Sequence, residues 1–212
     1  MRRSQSSWPN RFLSPSSRAV AATLLIAAGL AVGMYGSRFS RAGGHDAQLA
    51  ADFDAFLNQF EQNPQAAEQV LLARYDGEQM DLPTATRRLG FRPAIASGLP
   101  AGYSVDSLYL LDMPCCKCSQ AVCRREGGGR LAVFEHNSDQ PVWFGDRPAI
   151  EARCCNKPTR IVEVDRNLLA ATWRSDKRYL TIIGARDVEE ITRIVRHFET
   201  TGGDLRKARK AA

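Results

Sequence analysis

Between Tyr103 and Gly184 the chain is cut into apolar segments too short for helices, and this limits its fold more than any other feature. The segments are "YSVDSLYLLD" (103–112), "RLAVFEH" (130–136), "AIEARC" (149–154), "TRIVEVD" (159–165), "LLAATWR" (168–174) and "RYLTIIG" (178–184). They are rich in β-branched and aromatic residues and are separated by turn formers, which is the pattern of strands. The connections at 165–167 and at "SDK" (175–177) are short enough only for hairpins, so the strands form an antiparallel sheet. "DVEEITRIVRHFE" follows, with Val188, Ile191, Ile194, Val195 and Phe198 on one stripe and Asp187 and Glu190 in the positions of a capping box. A C-terminal helix laid over one sheet face makes an α+β layer.

Upstream the period is helical. Leu49, Phe53, Phe56, Leu57 and Phe60 recur on one helical face. "NPQAAEQVLLARYDG" restarts a helix after Pro64 and ends it at Gly77. "DLPTATRRLG" carries an Asp81 cap, Pro83 in the first turn and Gly90 as terminator. The Phe face packs either on the domain's own sheet or on a partner helix.

The net charge of +6 lies wholly in the first 41 residues, which hold six arginines and no acid; the remainder balances 23 basic against 23 acidic side chains. A basic nucleic-acid-binding face is therefore not expected. Residues 19–36, "AVAATLLIAAGLAVGMYG", run without a charge between Arg18 and Arg38. This length reaches the short end of what spans a bilayer. Four arginines lead and two trail, which orients the N-terminus inside and the body outside the cytoplasm. The competing reading is a signal peptide cleaved near Ala31-Val32-Gly33. The expected organisation is a basic cytoplasmic segment (1–18), a transmembrane anchor (19–36) that contacts membrane lipid, a helical stalk (37–92), an extracytoplasmic α+β domain (93–202) and a basic tail (203–212).

"GFRPAIASGLPAGY" followed by "SLYLL", a later Trp173, and "YLTIIGARDVEEITRIVRHF" resemble the extracytoplasmic domains of membrane-bound anti-sigma factors and their periplasmic regulators. The resemblance covers about half the chain. It implies a curved antiparallel sheet closed by a strand and helix, and a regulatory role toward a membrane or periplasmic protein partner. It extends to the sensory domain alone, because 18 leading residues with Trp8, Phe12 and Leu13 are too few for a folded sigma-binding segment.

The chemistry of the chain is in its thiols. "DMPCCKCSQAVCRREGGGR" (112–130) holds Cys115, Cys116, Cys118 and Cys123, and "RCCN" (153–156) holds Cys154 and Cys155. If 103–112, 130–136 and 149–154 are successive strands, the segment between the first two is a loop and both cysteine groups gather at one sheet end, with His136 at the far end. A strand at 141–144 would reverse that parity. Gathered thiols form a soft-ion site for Cu(I) or Zn, and the lack of a paired histidine favours copper. Lys117, Arg124 and Arg125 would lower the thiol pKa values. Export makes disulfides the competing state, with fifteen pairings of six cysteines.

Catalytic readings are poorer. The chain has no G-x-S-x-G, H-E-x-x-H or C-x-x-C-H; His45, His136 and His197 read as surface residues, and "EGGGR" reads as a turn. Trp143, Phe144 and Trp173 read as core. The expectation is a non-enzymatic, membrane-anchored binding or sensing module with Cys115, Cys116, Cys118, Cys123, Cys154 and Cys155 as its site. Its alternatives are a disulfide-stapled interaction domain and a thiol oxidoreductase using Cys115 and Cys118.

Overall fold

The computed structural model describes residues 44–138, 144, 147–165 and 167–211. The anchor, the leading basic segment, Trp143 and the possible strand at 141–143 lie outside them. Among the described residues no helix is long and apolar enough to cross a membrane.

Helix α1 (Gly44–Gln62) is followed by α2 (Pro64–Arg74), strand β1 (Glu78–Gln79), α3 (Leu82–Leu89) and a 3-10 turn (Ala94–Ser97). Strands β2 (Tyr103–Met113), β3 (Cys116–Arg125), β4 (Arg130–His136), β5 (Ala149–Cys154), β6 (Lys157–Asp165), β7 (Leu168–Ser175) and β8 (Arg178–Ala185) then lead to helix α4 (Val188–Ala211). The Asp81 cap and the Gly90 terminator are those the sequence announces, and Asn63 adds a cap to α2. Asn63 Oδ1 accepts from Ala66 N at 3.1 Å, Asp81 Oδ1 accepts from Thr84 N at 2.8 Å, and Gly90 ends α3 at φ +75°. Helix α4 continues beyond the expected boundary, through Gly202 and Gly203 to Ala211.

The eight strands among the described residues join one open antiparallel sheet in the order β1-β2-β3-β4-β8-β7-β6-β5. The fold is therefore α+β. Its central strands are apolar on both faces, so each face needs a cover. On one face Phe134 meets Phe53 and Phe56 of α1, with ring centroids 5.3 and 5.5 Å apart. Leu71 of α2 joins the same cluster. On the other face Ile191, Ile194, Val195 and Phe198 of α4 and Leu89 of α3 pack on Leu131, Trp173, Leu180 and Ile182. The Phe stripe of α1 thus docks on the chain's own sheet. The helices expected as a stalk form a layer of a compact unit running from His45 to the C-terminus.

The segment expected as a loop at 113–129 is largely strand β3. Cys118, Gln120 and Val122 alternate with Ala121 and Cys123, and all are buried. The turn to β4 is made by "EGGG", with Gly127, Gly128 and Gly129 all at positive φ and Gly128 N donating to Arg125 O at 3.1 Å. Arg125 is buried where β3 ends, its Nε donating to Glu190 Oε1 of α4 at 2.8 Å and its Nη2 to Gly184 O at 2.8 Å. Glu190 also accepts from Arg186 N at 2.7 Å and from the Tyr103 hydroxyl. These donors outweigh the burial that would raise its pKa, so Glu190 stays an ionised partner.

Gly184 sits where the β7–β8 register shifts, at φ +98°. A Cβ there would meet Arg130 O at 2.7 Å and Phe60 Cε1 at 2.8 Å. Gly184→Ala should therefore cost about 1–3 kcal/mol for the backbone conformation alone, with the α1 clash added. A urea midpoint equal to wild type would refute this.

Candidate functional site

Met113 pairs with Cys116, which leaves Pro114 and Cys115 as the two-residue turn between β2 and β3. Cys115 is exposed, Cys116 half-buried and Cys118 fully buried. The Cys115 and Cys116 sulfurs are 3.2 Å apart. Cys116 and Cys118 are two residues apart on one strand, so their side chains share a sheet face, the one covered by α1 and α2. Asp112 N donates to Tyr75 O at 2.9 Å, and the Tyr75 hydroxyl donates to Asp52 Oδ2 of α1 at 2.7 Å. The hairpin tip is thus tied to both helices of that layer.

The remaining cysteines are elsewhere. Cys123 is buried on the opposite sheet face. Cys154 ends β5 on that same opposite face, and Cys155 and Asn156, at φ +52° and +66°, form the turn to β6. Thr192 Oγ1 of α4 lies 3.7 Å from Cys154 Sγ, and Cys155 Sγ lies 3.8 Å from Thr192 O. The parity expectation holds for the sheet end but not for convergence. The β2–β3 and β5–β6 turns share an end, yet β4, β8 and β7 stand between β3 and β6. Four strand spacings of about 4.8 Å put roughly 19 Å of sheet between them. The six sulfurs therefore occupy three places, and none of the six is joined in a disulfide.

His136 moves the other way. The scheme that took 113–129 for a loop sends it to the far end, but the extra strand reverses the chain once more and β4 finishes beside the thiols. Cys118 and His136 are register partners across β3 and β4, both fully buried. Cross-strand partners on one face have Cβ atoms about 4.5–5.5 Å apart. Ser138 N, at 3.3 Å, donates to His136 Nδ1, and the same N–H also reaches the Cys116 sulfur. Counting β3 among the strands is the signal that finds His136. Among the described residues no three His, Cys, Asp or Glu side chains already stand close enough to hold an ion.

The expected depression of thiol pKa is corrected by the surroundings. Arg124 Nε donates to Asp106 Oδ1 at 3.1 Å, and Arg125 is spent on Glu190 beneath the other face. The Cys116 thiol is pushed up by its hydrogen bond with Cys115 and by burial, and burial does the same to Cys118. Burial also raises Cys123, to about 12. These thiols rest protonated, and a bound cation or an oxidant has to displace their protons. Cys115 and Cys118 straddle a turn into a strand, not the helix N-terminus expected of a dithiol oxidoreductase. A cleft of about 490 Å³ is lined by Phe91, Asn137 and the Asp176–Arg178 turn, and among the described residues no thiol lines it.

Two neighbours beside the site titrate in opposite senses. Burial raises Glu135 from 4.5 to about 7, partly offset by Arg178 and by Ala94 N, which donates to it at 2.5 Å. The folded state keeps a proton that the unfolded chain has lost, so this group makes stability fall as pH rises from 4.5 to 7. Burial lowers His136 from 6.5 to about 4, so this group makes stability fall as pH drops from 6.5 to 4. In the wild type the two slopes offset each other. Relative to wild type, the urea midpoint of metal-free Glu135→Gln should climb with pH across that window, and that of His136→Gln should decline. Parallel pH profiles for all three proteins would contradict both assignments.

Comparison with protein-family models, with curated proteins and with solved structures finds no match to this chain.

Proposed function

We propose that this domain is a binding and sensing module, not an enzyme, and that its working part is the β2–β3 hairpin tip. One observation carries the reading: Cys115 and Cys116 lie sulfur to sulfur at an accessible rim, with Cys118 on the same strand face beneath them. Such a set takes a soft cation of the Cu(I) or Zn class. It also takes an oxidant: each of the two adjacent thiols loses a proton and an electron to an acceptor disulfide, which leaves as two thiols while the Cys115–Cys116 bond forms. A bridge between neighbours is strained and hence easily reduced, which suits a reversible response.

The link from Asp112 through Tyr75 to Asp52 gives the event an output. A change at the hairpin tip alters how α1 and α2 are held and what they present to a protein partner. The charge-free run 19–36 with its arginine flanks supports a module anchored in a membrane and facing outward. The resemblance to anti-sigma sensory domains supports a membrane or periplasmic protein as that partner. Stapling by disulfides would need thiols from different elements to meet, and their separation into three places argues against it.

On the reduced full chain, a chromogenic disulfide reagent should reach the exposed Cys115 and Cys155 first, then Cys116, and the buried thiols last. One equivalent of Zn(II) or Cu(I) should protect Cys115 and Cys116 and leave Cys155 reactive, and mild oxidation should bridge Cys115 and Cys116 to each other. Cys115→Ser and Cys116→Ser should abolish the protection, while Cys123→Ser and Cys154→Ser/Cys155→Ser leave it intact. Three quantitative bridges that include Cys123 and Cys154, with no ion bound, would overturn the proposal.

A further inference from the structure

The geometry points to His136 as the imidazole ligand of a mixed thiolate–histidine metal site with Cys116, Cys118 and Cys115. This inference rests on the hairpin reading above and goes beyond it by naming the nitrogen ligand and, through it, the class of ion.

Three observations meet here. His136 is the register partner of Cys118, so β3 and β4 offer a thiol and an imidazole from the same sheet face at adjacent positions. His136 and Cys116 are bridged by one donor, because Ser138 N–H reaches both Nδ1 and the Cys116 sulfur. The two ligands are therefore no more than two hydrogen-bond lengths apart. Nδ1 accepts that bond, so in the neutral ring it carries the lone pair, as assigned from the hydrogen-bond network. Thirdly, Gln120 lies on the same face two residues beyond Cys118, fully buried, and among the described residues neither its amide oxygen nor its nitrogen has a hydrogen-bond partner. A buried amide left without partners is destabilising. If Nδ1 binds an ion, the opposite nitrogen Nε2 must carry the proton, and the Gln120 oxygen is an acceptor on that face. Metal-bound histidines commonly give their second N–H to such an acceptor, which fixes the ring.

Binding draws the four side chains together, since no three of them yet stand close enough to hold an ion, and exchanges protons for the ion: the thiols release theirs as the cation attaches, and no electrons move. Ser138 N–H then serves the Cys116 sulfur alone. Three sulfurs and one nitrogen match a tetrahedral site for a zinc-class divalent ion, whereas an all-sulfur set would favour Cu(I). The preference for copper drawn from the want of a neighbouring histidine is thereby reversed.

The test loads the reduced full chain with Zn(II) and reads the ligand shell by X-ray absorption, with Co(II) as the optical probe. The expected shell is three sulfurs at about 2.3 Å and one nitrogen at about 2.0–2.1 Å. The Co(II) protein should show intense tetrahedral bands, and Zn(II) affinity should fall about tenfold or more in His136→Gln. The spectra use the wild-type protein, so they decide the matter even if the variant fails to fold. A bound ion with sulfur ligands only, or undiminished affinity in a folded His136→Gln, would overturn the role of His136 and leave the thiol module standing. Zn(II) that neither binds nor protects Cys115 and Cys116 would overturn this inference; if Cu(I) and mild oxidation also leave them untouched, the hairpin reading falls with it.

Discussion

Everything in this fold follows from a sheet whose middle is apolar on both sides. In β4 the six residues Leu131–His136 are all buried, Leu131 and Val133 toward one face and Ala132 and Phe134 toward the other. A strand of that kind cannot face water on either side, so helices must arrive from both directions. The N-terminal pair supplies one cover through three phenylalanines, and the C-terminal helix supplies the second through a branched-aliphatic stripe and Phe198. The Arg125–Glu190 pair pins the second cover to the sheet. Its geometry and extra donors let it repay the desolvation that would make a lone buried charge untenable.

This two-sided demand also decides what the cysteines can do. A thiol inside the sheet is a small apolar group first and a reagent second. Cys123 and Cys154 serve the core beneath α4, and their sulfurs have little access to solvent. At the β2–β3 tip, as at the exposed Cys155 of the β5–β6 turn, the cover thins enough for thiols to be reached from outside, and at the tip the strand carries sulfur inward from Cys115 through Cys116 to Cys118.

Much of the fold was legible in the sequence because its signals were strong and local. The Phe stripe, the Asp81 cap, the Asp187 and Glu190 pairing, and six of the seven longer strands are read from periodicity and turn chemistry alone. The missing strand explains the rest. "CKCSQAVCRR" stands out for its reactive side chains, yet four of its ten residues (Cys118, Ala121, Val122 and Cys123) are buried small hydrophobes within a strand. Without that strand the count of chain reversals is one too few, which displaces His136 from the thiols. The distance from the hairpin tip to Cys154 was illegible for another reason. Strand order is set by long-range pairing, and nothing local announces that β8 and β7 insert between β4 and β6.

The glycine turn between β3 and β4 acts as a gauge. Side chains alternate with a period of two, so the number of residues in that turn sets whether His136 stands on the same side as Cys118 or on the reverse. Three consecutive glycines at positive φ hold a turn that few other sequences could close. The product of the "EGGGR" turn is phase. A single inserted or deleted residue there would leave every strand intact in sequence and carry the imidazole through the sheet, away from the sulfur it faces.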